Sequence, residues 1–176
     1  LLPPLTIDIF HRVFFYLKAV LITSRQIQKR RPQLILSQQL ISIPAILVSK
    51  FLHIPIIVII HDYWPICYNR TILKPNGQIC SSYDACFREV YNCARNDVIR
   101  FLDEPKILHP ISSFLYSILI SIHTQFAKNV VKKADSIIAV SEFVKKTLVS
   151  NGFDPERIHV IYNPIIIEKE AQAKTK

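Results

Sequence analysis

The sequence has 176 residues, enough for one domain of ordinary size, and half of them are hydrophobic, so a packed core is within reach. Only two glycines occur, Gly77 and Gly152, far apart, which excludes a glycine-rich phosphate loop and with it a dinucleotide or P-loop site. The net charge of +9 admits nucleic acid or anionic lipid, but Lys and Arg come in small groups (Lys29-Arg30-Arg31, Lys132-Lys133, Lys145-Lys146) without a basic run or a nucleic-acid motif. That argues against nucleic acid and leaves solvated helix faces or attraction to an anionic membrane surface.

No signal peptide is expected at residues 1–22, which carry Asp8, His11, Arg12 and Lys18 and lack a small-residue cleavage site. Residues 7–29 have the helical spacing Ile9, Val13, Leu17, Val20, Leu21 and end on basic residues that suit a helix C-terminus; Pro32 stops the run. Residues 33–37 read as a short buried strand and 39–52 as a second helix with Pro44 near its start. Pro55 opens Ile56–Ile60, β-branched and without polar alternation, so a strand covered on both faces is expected. Residues 39–60 resemble a membrane span in hydropathy, but Pro44, Lys50, His53 and Pro55 break it into helix and strand.

Residues 66–95 are irregular and bear the cysteines, with Pro75-Asn76-Gly77 as a turn and some helix expected within 84–103. Residues 111–133 read as a long helix; its apolar part, 111–122, is too short to span a bilayer and belongs either in the core or in a membrane interface. Ser136–Val140 is a strand, Ser141 an N-cap with Glu142 in the first turn, and Asn151-Gly152 a C-cap. Residues 158–162 form a last strand, closed by Asn163-Pro164, and the polar residues from Glu168 onward form a tail.

Alternating strands and helices predict an α/β domain, a Rossmann-like parallel sheet flanked by helices. In such sheets function collects at the carboxyl ends of strands, here Ser37-Gln38, His61-Asp62, Ser141-Glu142 and Asn163-Pro164. Asp62 fits either a hydroxyl acceptor or a cap of the next turn, and Tyr63 and Trp64 either an apolar wall for a ligand or core packing. Ser141 fits a helix cap or a contact to sugar or phosphate. Cys67, Cys80, Cys86 and Cys93 lack the close pairs of a zinc site; free thiols, zinc and disulfides all stay open. No cofactor is called for by any motif.

Three segments carry a resemblance: LILSQQLISIPAILVSKFLHIPIIVIIHDYWPIC at 34–67, KPNGQIC at 74–80, and ADSIIAVSEFVKKTLVSNGFDPERIHVIYNP at 134–164. Together they resemble the N-terminal domain of family 4 glycosyltransferases, whose GT-B fold sets two Rossmann-like domains face to face. The resemblance covers residues 30–164 and implies one incomplete half of that fold: a domain over 1–164, with a cysteine-bearing insertion at 66–110, and a tail at 165–176 where an interdomain linker would begin. It implies a retaining transferase that passes sugar from a nucleotide-sugar donor to a glycan or lipid-linked acceptor. The donor belongs to a C-terminal domain, so this half is expected to be inactive alone. A non-catalytic remnant or membrane-associated module is the alternative. His61 takes the position of the histidine beside donor sugar and acceptor, where an imidazole can steady an oxocarbenium-like state or orient hydroxyls. Asp62, Tyr63, Trp64, Ser37, Gln38, Ser141 and Glu142 are the expected substrate contacts. A cytoplasmic protein, peripheral on the inner face of a membrane, is expected.

Overall fold

The computed structural model describes residues 4–74, 76–80, 90–96 and 109–164. Helix α1 (Pro4–Arg30) starts on a proline, which fits a first helical turn, and ends on Lys29 and Arg30, which favour the negative end of the helix dipole. Arg31 takes a positive φ of 46° and Pro32 ends the turn. Strand β1 (Ile35–Gln38) leads through a turn of 3-10 helix, Gln39–Ile41, into α2 (Ser42–Phe51), where Pro44 sits in the first turn and costs no internal hydrogen bond. Strand β2 (Ile56–Ile60) follows, then the long connection to α3 (His109–Val131), β3 (Ser136–Ala139), α4 (Glu142–Ser150) and β4 (Ile158–Val160).

The four strands are parallel and lie in chain order. Crossovers of one hand between strands laid down in one direction carry the connecting helices to one face. Ile43 and Ile46 of α2, Ala127, Val130 and Val131 of α3, and Val144 and Leu148 of α4 form one core cluster with Ile56, Val58, Ile60, Ile137, Ala139 and Ile158. Helix α2 is buried nearly all round, with α1 packed along it. Tyr16 of α1 reaches His123 of α3, with its hydroxyl 2.9 Å from Nε2 and the rings stacked.

The sheet corrects one expectation. Strand β2 is not covered equally on both faces: its exposure alternates, with Ile56, Val58 and Ile60 buried and Ile57 and Ile59 only half-buried. On that second face Leu36 is 61% exposed, and Ile57, Ile59 and Ile138 stay outside the core cluster. The physical reason is the strand order, which puts α2, α3 and α4 on the same side. The lack of alternation in the sequence therefore marks two apolar faces, one of them open among the described residues.

At the amino edge, Asp135 ties β3 to β2. Its Oδ2 accepts the Ile56 N–H at 2.9 Å, its own N–H donates to the Ile56 carbonyl at 3.1 Å, and Oδ1 accepts from Lys50 Nζ. The hydrogen bond from Lys50 is the main cause that lowers the Asp135 pKa below the ordinary carboxylate value, against a smaller opposing effect of burial. Leu73 and Ile79 form an antiparallel bridge, and Gly77 between them has φ 81°. Residues 90–96 are helical, within the stretch where helix was expected, and the rest of 84–103 lies outside the described residues. The tail at 165–176 also lies outside them. No helix among the described residues is long and apolar enough to cross a membrane.

Candidate functional site

The loops that leave the carboxyl ends of β1 and β2 meet in a small polar network. Gln38 is the last residue of β1 and shares the open face with Leu36 by strand alternation. His61 directly follows β2, and its Nε2 lies 3.1 Å from Gln38 Oε1. With the amide in this orientation Nε2–H donates to Gln38, so a neutral ring presents Nδ1 as an acceptor for a hydroxyl. Both side chains are exposed.

Asp62 is half-buried, and both of its oxygens are engaged. Oδ1 accepts the Trp64 backbone N–H at 3.0 Å, which is the turn-capping bond expected of Asp, and Oδ2 accepts from Gln39 Nε2 at 3.5 Å. Gln39 Oε1 in turn accepts from Arg70 Nη1 at 3.5 Å. Gln39 and Arg70 both adopt positive φ, 61° and 62°, a conformation that costs a side-chain-bearing residue energy and occurs here at two bonded members of one network. The 63–70 loop is held by its own backbone: Cys67 N–H donates to Tyr63 at 2.8 Å, Arg70 N–H to Cys67 at 3.0 Å, and Tyr63 N–H to Arg70 at 3.2 Å.

Beneath the network the same loop is anchored by apolar burial. Trp64, Pro65 and Ile66 sink into the core, and Trp64 is 4% exposed. Its indole N–H has no hydrogen-bond partner among the described residues. Tyr63 stays half-buried above it and meets Phe143 edge to face, with centroids 6.3 Å apart, which links the β2 loop to the first turn of α4. At that turn Ser141 is an N-cap, its Oγ accepting the Val144 N–H at 3.2 Å, and Glu142 is exposed beside the positive end of the helix dipole.

The structure thus gathers His61, Gln38, Asp62 and Tyr63 at one edge, with Tyr63 reaching toward α4. Ser37 is elsewhere: it is buried on the helix-covered face and donates to Ser42 Oγ at 3.0 Å. Trp64 is core. Three further members were not singled out from the sequence. Gln39 carries the one legible signal, its place directly after a strand. Arg70 and Phe143 come in through loop closure and tertiary packing, which a linear pattern does not encode.

Of the cysteines, Cys67 and Cys80 are half-buried and Cys93 is buried, while Cys86 lies outside the described residues. Among the described residues no three His, Cys, Asp or Glu side chains cluster as a metal ion requires.

Against known proteins, the model of Glycosyltransferase Family 4 matches residues 2–169, nearly the whole chain. No curated protein matches it.

Proposed function

Because the chain belongs to glycosyltransferase family 4, we propose that it is the acceptor-side domain of a retaining enzyme that moves sugar from a nucleotide-sugar donor to a glycan or lipid-linked acceptor. The observation that carries this reading is the His61–Gln38 pair at the carboxyl edge of the sheet, buttressed by the Gln39–Asp62–Arg70 network. Ligands of open α/β sheets bind along this edge.

In this reading Gln38 fixes the ring of His61 so that Nδ1 faces an acceptor or donor hydroxyl. Orienting that hydroxyl, and placing the imidazole's polarity beside a developing positive charge, lower the barrier by position and electrostatics. Asp62 holds Gln39 and the turn, so its part is positioning. Tyr63 offers an aromatic face to a sugar ring, and Glu142 with Ser141 lines the facing side of the cleft. Ser37 and Trp64 support the site from within the core. The donor diphosphate is assigned to a second, facing domain, since Gly77 and Gly152 are too far apart to build a phosphate loop here. Closure of two domains would exclude water from the transfer. A lipid-linked acceptor places the enzyme at the inner, cytoplasmic face of a membrane.

Two measurements test this. His61→Ala, in an enzyme assembled with its donor-binding domain, should lower turnover at least ~10-fold, the low end for a lost acid–base or orienting group. Unchanged turnover would leave the chain as a binding module without a part in the chemistry. Calorimetric titration of this chain alone with nucleotide sugars should show no saturable binding; a clear isotherm would place the donor site on this domain.

A further inference from the structure

The first turns of helix α3 are amphipathic in the reverse sense. Their inward side carries small polar residues: Ser113 and Ser117 are fully buried, and Ser117 Oγ returns to the Ser113 carbonyl one turn back. Farther along, Thr124 and Ile120 are buried, and Ala127, Val130 and Val131 join the core. The outward side of α3 carries large apolar residues. Ile111, Leu115, Leu119, Ile122 and Phe126 are 40–62% exposed, with Phe114 beside them. Their spacing of three, four and seven residues draws one stripe along the helix. A globular helix with nothing over it does the opposite, and the stripe is longer than the scattered apolar exposure of an ordinary surface.

Charge says what covers it. No Asp or Glu occurs between Ile9 and His61 or between Pro105 and Ala134. These two stretches supply the described parts of α1, α2 and α3 except the start of α1, so beyond that start these three helices bring no carboxylate of their own beside the exposed Lys18, Arg25 and Lys29; Lys50 of α2 is met by Asp135, just before β3. The neighbour of α3 across the Tyr16–His123 contact is α1, whose exposed residues mix Phe14, Leu17 and Leu21 with Lys18, Arg25 and Lys29. Both helices precede strands of one parallel sheet and run the same way, so their basic ends, Lys29-Arg30-Arg31 and Lys132-Lys133, lie at the same edge.

We propose that the outer face of α1 and α3 is a docking surface for an anionic lipid bilayer, with the α3 stripe entering the headgroup–acyl boundary and the cations of α1 meeting lipid phosphates. Apolar insertion and electrostatic attraction add in such interfacial helices. A second copy of the chain fits the surface less well, because two +9 molecules repel one another. The amino-terminal end of α3 lies toward the carboxyl edge of the sheet, the edge that also carries His61. The proposal stands on the surface alone and holds whether or not His61 serves transfer.

The test is co-sedimentation of the full chain with phosphatidylcholine vesicles, with and without phosphatidylglycerol. Binding should be at least ~10-fold stronger with the anionic lipid and should fall as salt rises. The variant Ile111→Ser/Leu115→Ser/Ile122→Ser should lose at least ~10-fold in partitioning, and Lys18→Glu/Arg25→Glu should lose on the order of fivefold per charge removed. All five positions are exposed, so circular dichroism should be unchanged. Should the triple variant fail to fold, Ile122→Trp replaces it: the added indole's emission should shift to the blue and be quenched by brominated lipid. Equal vesicle binding by wild type and triple variant, an added indole that brominated lipid leaves unquenched, or no binding to anionic vesicles would overturn the proposal. So would a dimer in sedimentation equilibrium that the triple variant dissolves while vesicles remain unbound; that result assigns the stripe to a copy of the chain.

Discussion

The two faces of the sheet are built from the same residue types and live in different surroundings. On one, Ile56, Val58 and Ile60 are excluded from water by α2, α3 and α4. On the other, Leu36, Ile57, Ile59 and Ile138 are half-buried or exposed, and Leu36 lies on an edge strand without an outer neighbour among the described residues. Parallel sheets are as a rule covered on both faces. The difference teaches that apolar composition reports what a surface is suited to, while topology decides which surfaces this domain covers by itself.

The comparison can be broken most sharply from the covered side. Ile60→Ala removes a fully buried side chain at the centre of the core and should cost about 2–5 kcal/mol, read as a lowered urea midpoint with unchanged slope. A small loss would mean that the helical layer is loosely packed over β2. An intermediate effect comes from the amino edge, which belongs to neither face. Asp135→Asn weakens the clamp on Ile56 and Lys50 and should cost roughly 1 kcal/mol at neutral pH, since the group is partly exposed. The folded carboxylate has a lowered pKa, so its contribution is present above the unfolded value of about 3.9 and is lost as pH falls through the lower folded value. Denaturation midpoints of wild type and variant should therefore converge on acidification through that window. The smallest effect belongs to the open face: Leu36→Ser should change stability by no more than about 0.5 kcal/mol. A loss as large as that of Ile60→Ala would show this face to be packed against something in solution.

Much of the fold was legible because local signals agreed with the global arrangement. Pro55 and His61 bracket five apolar residues that form β2, Ser141 caps α4 through its hydroxyl, and Gly152 takes the positive φ of 76° that ends it. The ends of elements moved by a few residues, as with the 3-10 turn before α2. At the site, the positions after β1 and β2 followed from the strand ends, and the Gln38–His61 contact joins two of them. Ser37 was a strand-end residue too, but alternation turns it inward, and only register tells which of two adjacent residues faces the helices. Arg70 enters through a loop that closes on backbone bonds, and no periodicity marks it. The apolar stretch 111–122 left core and membrane interface open on the sequence alone; in the structure Ser113, Ser117 and Ile120 turn inward, while Ile111, Leu115, Leu119 and Ile122 are exposed.

Strand order has a consequence for synthesis. Because β1 to β4 lie side by side in the order in which the ribosome delivers them, each strand joins the margin of a sheet already begun, and none must wedge between two neighbours in place. The pairing of β1 with β2 closes over the short α2 segment and can form first, while β3 must wait for the long connection between Ile60 and Ser136 to emerge and close. Strand order thus permits vectorial assembly, and the longest chain closure falls at the β2–β3 seam. Until that seam forms, Val58 and Ile60 remain within reach of chaperones.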